Sequence, residues 1–156
     1  MDNKLRTRLD SYGFQSNPDF EYRHESEELY VAVYTSNKNR KLGLIVEDYL
    51  YLIDYDEVVA CKPIQKTKTA GFGPISGAVV GYSILGWLGA YIGSQTSNLY
   101  EEIEEYKIEL ILQDYKIPIY LLYNEKVTRN KMNQVNEFCD NFRKCINKIK
   151  EYGGRI

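Results

Sequence analysis

Histidine, cysteine and clustered carboxylates are the usual sources of protein chemistry, and here they are sparse and scattered. His24 is the only histidine; it lies in a polar stretch with no cysteine or carboxylate at ligand spacing, so a metal site is not expected. Asp54, Asp56 and Glu57 resemble a fragment of a calcium loop but lack the glycine and the distal glutamate at the required offsets, and read as a turn between strands. Cys61, Cys139 and Cys145 are odd in number and show no C-x-x-C spacing, which reads as buried free thiols in a reducing compartment. Gly71-Phe72-Gly73 opens an apolar stretch without the Lys-Ser/Thr that a phosphate loop carries, and neither G-x-S-x-G nor a dinucleotide fingerprint occurs. No catalytic residue, metal or cofactor is therefore assigned, and an enzyme is not expected.

The chemistry this chain carries is that of close packing. Thr69–Tyr100 is 32 residues without a charge. Within it Gly73, Gly77, Gly81, Gly89 and Gly93 fall on a four-residue period broken only at Leu85, and Ala78, Gly86, Ala90 and Ser94 continue a second small-residue row one position over. Steps of four lie along one ridge of a helix, and a ridge of small side chains lets another backbone approach, as in G-x-x-x-G membrane helices. Ile75, Val79, Val80, Ile84, Leu85, Trp87, Leu88 and Ile92 supply the apolar remainder and are the membrane-contact candidates. So many glycines cost a helix in water roughly 1 kcal/mol each relative to alanine, so packing or lipid must offset them.

Pro74–Ser94 would be roughly 31 Å long as one helix, enough to span a bilayer, but its hydrophobicity is diluted, and Tyr82 and Trp87 would sit near the midplane. If the strands on either side share a sheet, a single span would divide the domain across the membrane. A hairpin returns to its starting side, but with arms of about 10 residues it is too short to cross. A soluble packed hairpin, a hairpin that enters membrane after a trigger or on oligomerising, and a constitutive span all remain open. The flanks differ in sign, with Lys62, Lys66 and Lys68 before the segment and Glu101, Glu102, Glu104 and Glu105 after it. In a hairpin these charges would meet.

The elements that must position this segment are legible from periodicity. Residues 1–28 read as an extension, a short helix over Asn3–Tyr12 followed by a loop. Strands are expected at Leu29–Thr35, Leu42–Val46, Tyr49–Ile53, Glu57–Ile64, Tyr106–Gln113 and Ile117–Tyr123, each alternating or β-branched, with Pro63 marking a strand end or an exposed edge. A closing amphipathic helix is expected over Asn130–Tyr152, its apolar stripe running from Met132 to Ile149. The fold class is α+β: a single domain over 1–156, with a core of 29–64 and 106–152, a curved antiparallel sheet capped by the C-terminal helix, and the glycine-rich insertion at 69–100.

Composition sets the outer limits. Hydrophobic residues make up 44% and charged residues 27%, and the formal net charge is −2, which argues against a general nucleic-acid binder. The N-terminus is charged and has no apolar run of the kind a signal peptide needs, so a cytoplasmic protein is expected. Of the 15 tyrosines, Tyr30, Tyr34, Tyr49, Tyr51, Tyr55, Tyr120 and Tyr123 fall in or beside strands. They suit either half-buried sheet surface or an aromatic face for a protein partner.

Together IDYDEVVACKPI at 53–64, GAVVGYSILGWLGAYIGSQT at 77–96, IELILQDYKIPIYLLYN at 108–124 and the closing helix resemble bacterial PH-like (GRAM-like) domains that carry a glycine-zipper insertion. The resemblance covers about Leu29 to Lys150. It implies a PH-like barrel with a C-terminal helix and supplies no catalytic residues. The expectation that follows is a self-associating protein, recruited to the inner face of the cell membrane by a protein trigger, whose hairpin inserts into or permeabilises it, as in a bacterial stress or phage-defence effector. The zipper residues would be Gly73, Gly77, Gly81, Gly86, Gly89 and Gly93. The alternative is a soluble interaction or adaptor module with the hairpin packed internally or at a dimer interface.

Overall fold

The computed structural model describes residues 3–24, 29–67, 77–79 and 101–153. In chain order these form α1 (Asn3–Ser11), β1 (Phe20–Arg23), β2 (Tyr30–Ser36), β3 (Lys41–Val46), β4 (Tyr49–Asp54), a 3-10 turn (Tyr55–Glu57), β5 (Val58–Thr67), β6 (Gly77–Val79), β7 (Glu101–Leu112), β8 (Lys116–Val127) and α2 (Arg129–Gly153). The class is α+β, as expected, but the strands build two antiparallel sheets in place of one curved sheet, and neither closes into a barrel. The first has the order β1-β2-β3-β4; the second runs β5-β7-β8, with the three-residue β6 added at the β5 edge. The chain changes sheets at the 3-10 turn, after which β5 takes β7 as its partner.

The apolar run of β2 explains why the first sheet sits in the middle of the protein. Val31 and Val33 face one way, into the main core with Leu42 and Leu44; Ala32 and Tyr34 face the other, into a smaller cluster with Leu9, Phe14, Ile45 and Leu50. A strand buried on both faces has no polar alternation left to show. Helix α1 covers the second face through Leu9, and Gly43 of β3 makes room for it: a Cβ there would stand 3.2 Å from the Phe14 ring and 3.4 Å from Leu9.

On the opposite side, the second sheet and α2 close the main core. Met132, Val135, Phe138, Cys139, Phe142, Ile146 and Ile149 are buried along one stripe of the helix. Thr128 caps its start, its hydroxyl accepting the Lys131 N–H at 3.2 Å. Phe20 of β1 meets Phe138 and Phe142 edge-on, with centroids 5.5 and 6.3 Å apart. The Tyr22 hydroxyl crosses between the sheets to donate to the Leu121 carbonyl at 2.7 Å.

Four expectations need correction. The polar stretch 13–28 contains a strand, β1, whose Phe20 and Tyr22 alternate with Glu21 and Arg23 over only four residues. β5 continues past Pro63 to Thr67; among the described residues the side of β5 away from β7 has no strand at Pro63, β6 reaching only Gln65–Thr67, and there the missing N–H costs no ladder bond. The acidic run is part of β7 itself, since lysines on neighbouring strands offset its charge. Finally, Gly77 and Val79 lie in β6 and not on a helical ridge. The β5 edge offers unpaired backbone groups, and Gly77, Ala78 and Val79 pair with Thr67, Lys66 and Gln65. Gly73, Gly81, Gly86, Gly89 and Gly93, with Ile75, Val80, Ile84, Leu85, Trp87, Leu88, Ile92 and Lys68, lie outside the described residues.

Candidate functional site

The two ends of the insertion emerge side by side. Antiparallel pairing of β5 with β7 sets Thr67 opposite Ile103 and Lys66 opposite Glu105. The Lys66 ammonium lies 3.8 Å from the Glu105 carboxylate, which Lys107 also approaches at 3.6 Å. The opposite-sign flanks therefore do meet, at this point of the ladder. Of the other flanking charges, Glu102 pairs with Lys126 of β8 at 3.8 Å, Lys62 sits opposite Glu109, and Glu104 is exposed.

Beneath this root the inner face of the second sheet turns polar. Gln65 and Thr67 of β5 are 3% and 7% exposed, beside the fully buried Tyr106 of β7. The Tyr106 hydroxyl donates to the Asn136 side-chain oxygen on α2 at 3.0 Å. Both polar atoms of the Gln65 carboxamide are buried without a hydrogen-bond partner. Such a group costs about 1–3 kcal/mol.

Two clefts border α2, the smaller where it faces β1 and the larger where it passes the start of β1, the end of β2 and the 3-10 turn. One, of about 270 Å³, is bounded by Glu21, Tyr22 and Arg23 on the strand and by Gln134, Glu137, Phe138 and Asn141 on the helix. The other, of about 470 Å³, lies between Asp19, Phe20, Thr35, Asn37 and Tyr55 on the sheet side and Asn141, Lys144, Cys145, Lys148, Ile149 and Tyr152 on the helix. Asn141 borders both. The Tyr55 hydroxyl donates to Asn37 at 2.8 Å, and both Asp19 carboxylate oxygens are engaged, one by Gln15 at 2.6 Å and the other by the Thr35 hydroxyl. The sequence reading missed these clefts, although a signal existed: Gln134, Glu137, Asn141, Lys144 and Lys148 follow steps of three and four on the polar side of the helix.

The three cysteines are free, and burial pushes each thiol above its ordinary range, Cys61 to about 11 and Cys139 and Cys145 to about 12. At neutral pH they are protonated and poor nucleophiles. His24 pairs with Glu125 of β8, its Nε2 lying 2.7 and 2.9 Å from the two carboxylate oxygens. Asp54 and Asp56 pair with Lys41 and Arg40 beside the 3-10 turn. Among the described residues no three His, Cys, Asp or Glu side chains are grouped so as to hold a metal ion. The strand tyrosines do not form one surface: Tyr34 and Tyr55 are buried, whereas Tyr49 packs beside Tyr51 on β4, and Tyr123 beside Tyr120 on β8.

No family model, curated protein or solved structure matches this chain.

Proposed function

We propose that this is a non-enzymatic PH-like protein that displays its glycine-rich insertion as a returning segment, associates with itself through it, and inserts into or permeabilises membrane after a protein trigger. A role as a bacterial stress or phage-defence effector, acting at the inner face of the cell membrane, belongs to the same reading. The observation that carries it is the β5–β7 register. Thr67 and Ile103 are ladder partners and Gly77–Val79 pairs back onto Gln65–Thr67, so the rest of the uncharged segment, residues 80–100, leaves the sheet and re-enters it at one place. That geometry disfavours a constitutive single span and suits a segment presented on one side. The PH-like part rests on the order of elements, two antiparallel sheets followed by a packed C-terminal helix. Among the described residues no helix is long and apolar enough to cross a membrane, so any crossing falls to the insertion or to strands.

The second reading is a soluble interaction module with the insertion packed internally or at a dimer interface. The two clefts along α2 favour it.

Gly81→Leu separates the readings, because it raises both hydrophobicity and helix propensity. The readouts are dye leakage from liposomes and a thermal melt of the same protein. A packed zipper at the membrane loses leakage with an unchanged melt; an internally packed insertion loses stability. Undiminished leakage would refute the zipper, and a parent protein that never causes leakage would leave the soluble module.

A further inference from the structure

We propose that β6 and the last residues of β5 form a clasp that sets how much of the insertion is free, and that the buried Gln65 carboxamide keeps this clasp low in stability. The role in membrane action rests on the reading above; the opening of the clasp does not.

The first observation is how little holds β6. It is three residues long, and its ladder is with Gln65, Lys66 and Thr67, the residues at which β5 ends. β7, by contrast, stays paired with β8 to its first residue, Glu101 opposite Val127. Ile103 and Val127 are buried on that side, and His24 holds Glu125 there at 2.7 Å. The end of β5 and β6 can therefore lift together while β7 stays in place.

The second observation is the state of the groups under the clasp. The Gln65 side chain is 3% exposed, and both of its polar atoms lack a hydrogen-bond partner among the described residues. One oxygen of the Glu105 carboxylate is likewise buried without a hydrogen bond, its lysines standing at 3.6 and 3.8 Å. The register also slips here: Lys66 faces Glu105 and Thr67 faces Ile103, so Glu104 is skipped by β5. From Ala60 to Gln65 the register runs without a break, beside the buried Ile108 and Leu110 of β7. Buried polar groups without partners favour whichever state returns them to water. Lifting Gln65–Thr67 with β6 does this at the loss of one short stretch of ladder, and the unbroken ladder stops the opening at about Ile64.

The third observation is length. With β6 paired, the uncharged residues beyond it are 80–100, which number 21; with β6 released, the whole uncharged run Thr69–Tyr100, 32 residues, is free. As two helical arms the first gives roughly 15 Å each and the second roughly 24 Å. The clasp thus decides whether an arm reaches half of a ~30 Å hydrocarbon core or most of it. A trigger that binds the open form shifts the population toward it and leaves the rest of the sheet as it was.

The test is native-state hydrogen exchange, read residue by residue by NMR on the full chain at increasing urea below its unfolding transition. Amides of 65–67 and 77–79 should exchange together, with protection factors at least about tenfold below those of Ile108–Leu112 and little dependence on urea, as a local opening does. Gln65→Met keeps the length of the side chain and removes both unpaired groups. It should slow exchange at 65–67 and 77–79 by about five- to a hundredfold, the range that leaving a buried amide unpaired implies. Gln65→Leu repeats the comparison with a second apolar shape. The proposal is overturned if both sets of amides share one protection factor and one urea slope in the parent, if 77–79 show no protection, or if neither variant slows exchange more than twofold. On liposomes that the parent permeabilises, Gln65→Met should cut the leakage rate at least about fivefold; undiminished leakage overturns the clasp's part in it. A parent that causes no leakage removes the membrane reading and leaves the exchange result standing, so the two failures are distinguishable.

Discussion

Replacing Tyr106 by phenylalanine removes a single oxygen, and it should be among the costlier single-atom deletions in this protein. Tyr106 is fully buried, and its hydroxyl donates to the side-chain oxygen of Asn136, itself 6% exposed. The deletion leaves the amide without that donor in a place water does not reach, a loss of about 1–3 kcal/mol. For a domain of this size that corresponds to a fall in Tm of roughly 2–12 °C. The pair also supplies direction. The inner stripe of α2 is otherwise apolar, so a one-turn slide would bury similar side chains, and the Tyr106–Asn136 bond is a contact that such a slide would break. The assay is urea denaturation of Tyr106→Phe, Asn136→Leu and the double variant. The double variant should recover stability relative to the sum of the single losses, with a coupling of about 1 kcal/mol or more, since neither polar group is then left unpaired. Additivity within about 0.3 kcal/mol, or a Tyr106→Phe loss below about 0.5 kcal/mol, would refute the argument.

Phe142→Ala should cost about 3–5 kcal/mol, because the ring is fully buried between Phe20 and Phe138 and its removal leaves a cavity under the helix; thermal and urea melts check this. The thiols predict an alkaline limb of stability. Their folded values lie above the ordinary one near 9, so the unfolded chain gives up protons first as pH rises and stability falls between about pH 9 and 12. Below pH 9 both states keep these protons and the thiols add no slope; replacing Cys139 and Cys145 by alanine should flatten the decline in urea melts recorded from pH 8 to 11.

Long periodic elements were readable from sequence because their burial is one-sided and repeats. The stripe of α2 and the alternation of Ile108, Leu110 and Leu112 in β7 sit in the structure where the pattern puts them. The division into two sheets was not readable. It depends on β5 choosing β7 as its neighbour across the insertion, a pairing between residues some forty positions apart that no local pattern encodes. β1 escaped notice because four residues give only two turns of alternation, and its identity as a strand comes from β2 and from the aromatic contacts of Phe20 with α2. The clefts escaped for a similar reason. A polar row on a helix reads as a solvated face, and only the position of β1 beside it makes the row a wall.

The register at the root of the insertion limits what the intervening segment can do in a bilayer. Thr67 and Ile103 are ladder partners on strands about 5 Å apart, Gly77–Val79 pairs back onto Gln65–Thr67, and Glu101 begins β7, so residues 80–100 must leave and return through one point. Divided into two equal arms, those 21 residues give about 10 each. As helices such arms reach roughly 15 Å, about half of the ~30 Å hydrocarbon core; as extended strands they would just span it, but glycine is depleted in strands. A helical arm therefore cannot cross alone, and the small-residue ridge is what would let several copies pack closely enough to breach the membrane together. Membrane action by this chain thus requires assembly: leakage should rise more steeply than the first power of protein concentration. A linear dependence, with one copy sufficient, is incompatible with helical arms of this length.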